Sequence, residues 1–211
     1  MTDPQEQQAI ADLNTKANLA RLLDELAENP ERIDSITERV NEVFEEERTV
    51  LVLDMSGFTK ATQRGDLISY LLMINQMQRL AIPSVEKHGG IFIRADHDNL
   101  TCLFDEVGPA IDASRSITSR LETVNVVLPA DKELYVAIGV GHGRILNVEN
   151  EIIYGNEVNL ASKLGEDIGQ LGDILLTESA YGEVDDDDVS CTEKLLNVSG
   201  IDLRYYEVDP G

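Results

Sequence analysis

Two aspartates carry the chemistry that this sequence offers most clearly. Asp54 stands where the apolar run "TVLVLDMS" gives way to Ser56-Gly57-Phe58-Thr59, and Asp98 stands in a short polar turn inside "IFIRADHDNLTCLF". A strand that ends in a carboxylate and a hairpin that turns on one can present both acids at the same end of a sheet. Paired there, they suit Mg2+ or Mn2+, hard cations that prefer oxygen ligands and take up a nucleotide's phosphates. Gly57 lets the backbone after Asp54 turn tightly and leaves amides free to face phosphate oxygens, with Phe58 packed beneath. Taken alone, Asp54 reads equally well as a cap on the segment that follows. Asp98 on the facing hairpin tips the reading toward metal.

The other residues of chemically useful type are less telling. Asp96 and His97 flank Asp98 as loop residues, either solvated or offering an outer contact to a cation. His88 and His142 have no nucleophile or partner nearby in sequence and read as structural. Cys102 and Cys191 lie far apart without metal-type spacing, which favours inert thiols over a disulfide. The run Asp185 to Asp188 lacks the glycine and distal glutamate of a calcium-binding loop, so it reads as a solvated segment.

The whole chain sets bounds on partners. Forty acidic residues against 17 basic ones give a net charge of -23 over 211 residues. Such a surface repels nucleic-acid phosphates and anionic lipid, which argues against both as partners. A polyanionic ligand would need a local positive pocket or a metal. A saline habitat or plain solubility accounts for the acidity equally well. No apolar run approaches the roughly 20 residues of a membrane span. The start, "MTDPQEQQAI", lacks a secretory signal's charged and apolar parts, so a cytoplasmic location is expected.

The elements that must position Asp54 and Asp98 follow from pattern. Residues 1–15 read as a flexible N-terminus and 16–46 as a helical extension that either packs back on the main domain or serves as a dimer contact or an input element. Leu19, Leu22, Leu23 and Leu26 keep helical spacing, and Asn29-Pro30-Glu31 predicts the start of a second helix with stripe Ile33, Ile36, Val40, Val43 and Phe44. The main domain spans 47–211. The continuous apolar run before Asp54 predicts a strand in a covered sheet. A long helix follows, with Leu67, Leu71, Ile74 and Leu80 inward and its methionines as core filler. His88-Gly89-Gly90 closes it. A hairpin turning at Asp96–Asn99, a helix over about 109–123, the glycine-rich stretch "LYVAIGVGHGRILNVENEIIYG", a helix in "NEVNLASKLGEDIGQ", a strand in "DILLT" and a last strand in "LRYYEV" complete the chain. The order β-α-β-β-α-β predicts an α+β, ferredoxin-like domain with additions at its C-terminal end.

Three blocks together resemble the class III nucleotide cyclase catalytic domain, the adenylate/guanylate cyclase homology domain, from about Thr49 to Val208. "VLDMSGFT" is similar to the family's first metal block. "HGGIFIRADHDNLTCLF" resembles its hairpin, with Asp98 on the second metal aspartate and Phe104 on the closing aromatic. "YGNEVNLASKL" resembles its G-x-x-V-N-x-A-x-R helix. The resemblance implies a head-to-tail homodimer with shared active sites, two Mg2+ or Mn2+ ions per site, and a nucleoside triphosphate whose 3′-oxygen attacks the α-phosphate. It places Asp54, Met55 and Asp98 in the metal set. Gly57, Phe58, Thr59, Arg94 and Ile152 fall in the nucleotide-binding set, with Asn159 and Lys163 as the catalytic pair.

Departures from the family pattern are uneven. Asn159 matches the asparagine that orients the ribose. Lys163 replaces the transition-state arginine, keeping the charge without the planar fork. Arg94 replaces the base-reading lysine, and Ile152 stands where its partner should be, unable to hydrogen-bond a purine edge. His97 replaces the glycine before the second metal aspartate. Ser199 and Ile201 occupy the late phosphate-binding stretch. Metal chemistry is kept, base choice is rewritten and phosphate neutralisation is weakened. Two readings therefore stay open: a metal-dependent cyclase with altered base preference, and a cyclase-fold module that senses nucleotide, metal or a protein.

Overall fold

The computed structural model describes residues 4–56, 67–129, 133–184, 189–198 and 201–210. It divides into two compact units, residues 1–47 with 144–156 and residues 48–143 with 157–211. Strands β1 (Glu45–Ser56) and β4 (Tyr135–Val148) contribute to both.

The first unit is built on helices α1 (Pro4–Leu13), α2 (Lys16–Glu28) and α3 (Ile33–Phe44). The polar start of the chain suggests a flexible end, but the structure is helical from Pro4. Thr15 caps α2 by accepting from the Asn18 amide at 3.1 Å. Asn29 holds the N-cap position with Pro30 and Glu31 in the first turn as expected, but the turn is a short 3-10 segment, Pro30–Arg32, that leads into α3, and the Asn29 side-chain amide donates back to the Glu25 carbonyl instead of capping. Leu22, Ile36, Val40, Phe44 and Val148 form the core of this unit, with Ile152 of β5 (Ile152–Tyr154) packed against it. Leu23 and Ile33, read as part of the buried stripes, lie on the exposed side.

In the second unit the strand order is β2-β3-β1-β4-β6-β8-β7, with β2 (Ile91–Asp96), β3 (Asn99–Phe104), β6 (Ile174–Thr177), β7 (Cys191–Val198) and β8 (Ile201–Val208). The portion β2-β3-β1-β4 is the ferredoxin-like sheet that the element order predicts, and β6-β8-β7 extend it. Strand β4 pairs β6 in parallel, while β1–β3 and β2–β3 are antiparallel.

Alternation along β1 decides which side chains serve which layer. Leu51, Leu53 and Met55 are completely buried in one core with helices α4 (Leu67–Lys87) and α5 (Val107–Asn125). The inward row of α4 is Met73, Met77, Ala81 and Val85, so Leu67 and Leu71 are exposed rather than inward. A helix apolar on several sides leaves its buried face to be chosen by its neighbours. Its end is closed as predicted: Gly89 has φ 80° and the Gly90 amide donates to Val85 at 2.9 Å.

The opposite face carries α6 (Asn156–Ser162) and the wide helical turn Lys163–Ile168. Two glycines make this contact possible. A Cβ on Gly139 of β4 would sit 2.0 Å from the Ala161 carbonyl oxygen, and one on Gly165 would sit 2.8 Å from that of Val52. Backbone thus rests directly on backbone, which only glycine allows. Cys102 and Cys191 are both free, and burial pushes the Cys102 thiol up to about 12.

Candidate active site

Asp54 and Asp98 come together as the sequence predicts. In the β1–β3 register Asp54 lies opposite Asn99, the residue after Asp98, and the Met55 amide donates to the Asp98 carbonyl at 3.2 Å. One backbone hydrogen bond therefore ties the end of β1 to the hairpin loop. The loop has two residues, His97 and Asp98, between paired Asp96 and Asn99, and His97 takes φ 58°. That left-handed backbone suits glycine and costs a β-carbon-bearing residue about 1 kcal/mol. It gives a physical sense to the glycine that the family pattern carries there.

The electrostatics concentrate on Asp54. Its half-buried carboxyl is pushed up to about 7, first by burial and then by repulsion from Asp98, Glu166 and Asp167. Burial and then Asp167 also raise the Glu166 carboxyl, which Arg94 counteracts. The Tyr70 phenol on α4 is raised by burial and then by Asp98 and Asp54, which places it beside the pair. Next along β3, the Asn99 side-chain oxygen is buried and has no hydrogen-bond donor among the described residues. Buried oxygens of this kind are nearly always satisfied. A crowd of hard oxygen donors, surplus negative charge and an acceptor without a donor fit a divalent cation. Among the described residues no group of three or more His, Cys, Asp or Glu is placed to hold a metal ion.

The remaining predicted residues are placed as follows. Met55 meets the site through its backbone alone, since its side chain is wholly buried in the core. Arg94 is exposed on β2 with its guanidinium on Asp96 at 2.9 Å. Lys163 opens the wide helical turn and pairs with Asp167 at 3.3 Å. Asn159 is exposed on α6. Ile152 belongs to the first unit, where it packs on the helical core. Gly57, Phe58, Thr59 and Ser199 lie outside the described residues, as does the Ile201 side chain. His142 is held by Thr49 at 2.9 Å, in keeping with a structural role.

Glu166 and Asp167 were not legible as part of this site. Their place depends on Gly165 resting on β1, a contact between segments more than a hundred residues apart. The signal that existed is Gly139-Val140-Gly141 in a strand: glycines two apart share one face and invite close approach of another backbone.

No family model matches the chain. It is 23% identical over 159 residues to a protein named "Putative adenylate cyclase 3" from Rhizobium meliloti (strain 1021), covering 75% of this chain and 25% of that one. The chain thus spans about a quarter of that relative's length. Among solved structures it is similar to the catalytic core of a rhodopsin-guanylyl cyclase with converted specificity in complex with ATPalphaS. There the TM-score is 0.67 at 18% identity, over 78% of this chain and 97% of that one. It is likewise similar to the adenylyl cyclase CyaB from P. aeruginosa, with TM-score 0.67, 20% identity, and 79% and 96% covered. The chain has the fold of class III adenylyl and guanylyl cyclase catalytic domains, the likeness that its three sequence blocks carry.

Proposed function

We propose that this chain is a nucleotide cyclase, converting a nucleoside triphosphate to the cyclic 3′,5′-nucleotide and pyrophosphate at sites shared by two copies arranged head to tail. The observation that carries the reading is the pairing of Asp54 and Asp98 across the β1–hairpin junction of a cyclase-type fold.

Asp54 and Asp98 would hold Mg2+ or Mn2+, two per site, with the triphosphate oxygens completing the shell. When bound, the cations polarise the phosphates and favour the ionised 3′-oxygen. The raised Asp54 supports this, because a neighbouring dication offsets the burial and the acidic repulsion that hold its proton on. The chain's other residues bind and orient. Asn159, exposed on α6, would position the ribose on the partner's acids. Lys163 at the end of that helix would bring positive charge to the phosphate as charge builds there. Gly57, Phe58 and Thr59 would line the phosphate turn, and Met55 fixes the hairpin through its amide. Arg94 would face the base without a hydrogen-bonding partner at Ile152, which predicts weak discrimination among bases. Cytoplasmic location belongs to the same proposal; among the described residues no helix is long and apolar enough to cross a membrane.

The second reading, a sensing module without turnover, draws on the packing of Ile152 into the helical core and on the two cations already held by Asp96 and Asp167. The test is pyrophosphate release from ATP, GTP, CTP and UTP with Mn2+, and mass spectrometry of the product. Cyclic nucleotide from wild type and none from Asp98→Asn supports the cyclase. Binding of triphosphate without product from any of the four would establish the module instead.

A further inference from the structure

Between α5, the turn leading into β6 and the end of β8, the second unit holds a cavity of about 530 Å3 that shares no residue with the carboxylate cluster. Its size falls within the range of small-molecule sites. One wall is a single face of α5, with Arg115, Ser119 and Glu122 at helical spacing. Leu171 and Ile174 are among its apolar lining residues.

The charges around it are unevenly committed. Glu207 is held by Lys194 at 3.0 Å, and Asp209 accepts the Ser190 and Thr192 hydroxyls at 2.6 and 2.8 Å. Asp173 accepts one amide, from Gln170, at 2.9 Å. Among the described residues, by contrast, Arg115 finds no ion pair or side-chain hydrogen bond, and neither does Glu122. In a chain with 40 acids and 17 bases, a guanidinium with no carboxylate partner among the described residues stands out most where four acids share its cavity. A simple anion would meet those acids, and a simple cation would leave Arg115 unanswered. A ligand carrying both charges answers both: its carboxylate on the fork of Arg115 with the Ser119 hydroxyl, its ammonium toward Glu122 and Asp173.

We propose that this cavity binds a small zwitterion, an α-amino acid whose large apolar side chain lies over Leu171 and Ile174. The proposal is independent of turnover at the aspartate pair. It is tested by titrating the full chain with L-leucine and L-phenylalanine while following backbone amide NMR shifts. Saturable shifts should appear in α5 and in residues 171–174, and Arg115→Gln should weaken binding by about tenfold or more. Arg79→Gln, which removes an exposed arginine of α4, should leave it unchanged. Leu171→Trp, made at an exposed position, should fill the cavity and abolish binding in a protein of unchanged fold. Absence of saturable shifts with either amino acid would overturn the proposal. So would equal affinity in Arg115→Gln, or equal affinity for acetate alone.

Discussion

Replacing Asp54 by asparagine should stabilise the protein when no divalent cation is present, by an amount that grows as pH rises from about 4 to about 7. Asp54 ionises at about 7 in the fold against an ordinary 3.8, chiefly through burial and then through Asp98, Glu166 and Asp167. Between those values the folded chain keeps a proton that the unfolded chain has lost. Stability therefore falls as pH rises through that window and is lowest above about 7. Taken whole, the gap is worth about 4 kcal/mol. The carboxyl is half exposed, and screening by solvent reduces this to about 1–2 kcal/mol. The substitution removes the charge and its penalty, so in EDTA at about pH 8 the variant should melt roughly 2–6 °C higher than wild type. At about pH 4 the two should nearly coincide. Thermal unfolding followed by circular dichroism across that range reads the difference. A variant less stable than wild type at the alkaline end would refute the reasoning and make Asp54 a satisfied structural cap.

Other consequences follow from the same geometry. Gly139→Ala places a Cβ 2.0 Å from the Ala161 carbonyl, so it should cost about 3 kcal/mol or more and abolish cation binding with it, whereas Gly108→Ala, where a Cβ meets nothing, should leave the melting temperature unchanged or higher. His97→Gly relieves a φ of 58° and should raise stability by about 1 kcal/mol in chemical unfolding. Thr177 donates to the buried Glu157 carboxylate at 2.7 Å and caps the next helix through the Ala180 amide, so Thr177→Val should cost about 2–4 kcal/mol by urea unfolding. If active sites are shared between copies, mixing inactive Asp54→Asn with inactive Asn159→Ala should restore about a quarter of wild-type turnover, since about half the dimers are mixed and carry one intact site of two.

Much of the second unit was legible because its signals are local. A continuous apolar run marks β1, Gly89-Gly90 opens the β2–β3 hairpin, and the hairpin turns at the predicted residues Asp96–Asn99. The continuous apolar run of β1 leads to Asp54 near the strand's end, and the hairpin brings Asp98 to it. Features decided by distant contacts were not legible. Strand β7 lies at the sheet edge with Leu195 and Leu196 exposed, so it shows little of the burial alternation that marks a strand. The helix expected across "NEVNLASKLGEDIGQ" opens into a wide turn after Ser162, where Gly165 meets β1, and this alone brings Glu166 and Asp167 toward Asp54. The exposed Leu67 and Leu71 show the same limit: periodicity says that α4 is amphipathic, while the sheet it meets selects the methionine row.

Cyclase chemistry at this site requires the acid pair to hold a cation. Calorimetric titration of Mn2+ into wild type, Asp54→Asn and Asp98→Asn, each with and without a non-hydrolysable nucleoside triphosphate, tests it most directly. Wild type should bind Mn2+ weakly alone and about tenfold or more tightly with the nucleotide, because phosphate oxygens supply the ligands the two carboxylates lack. Both variants should lose that gain. Equal Mn2+ affinity in wild type and the two variants would contradict the account.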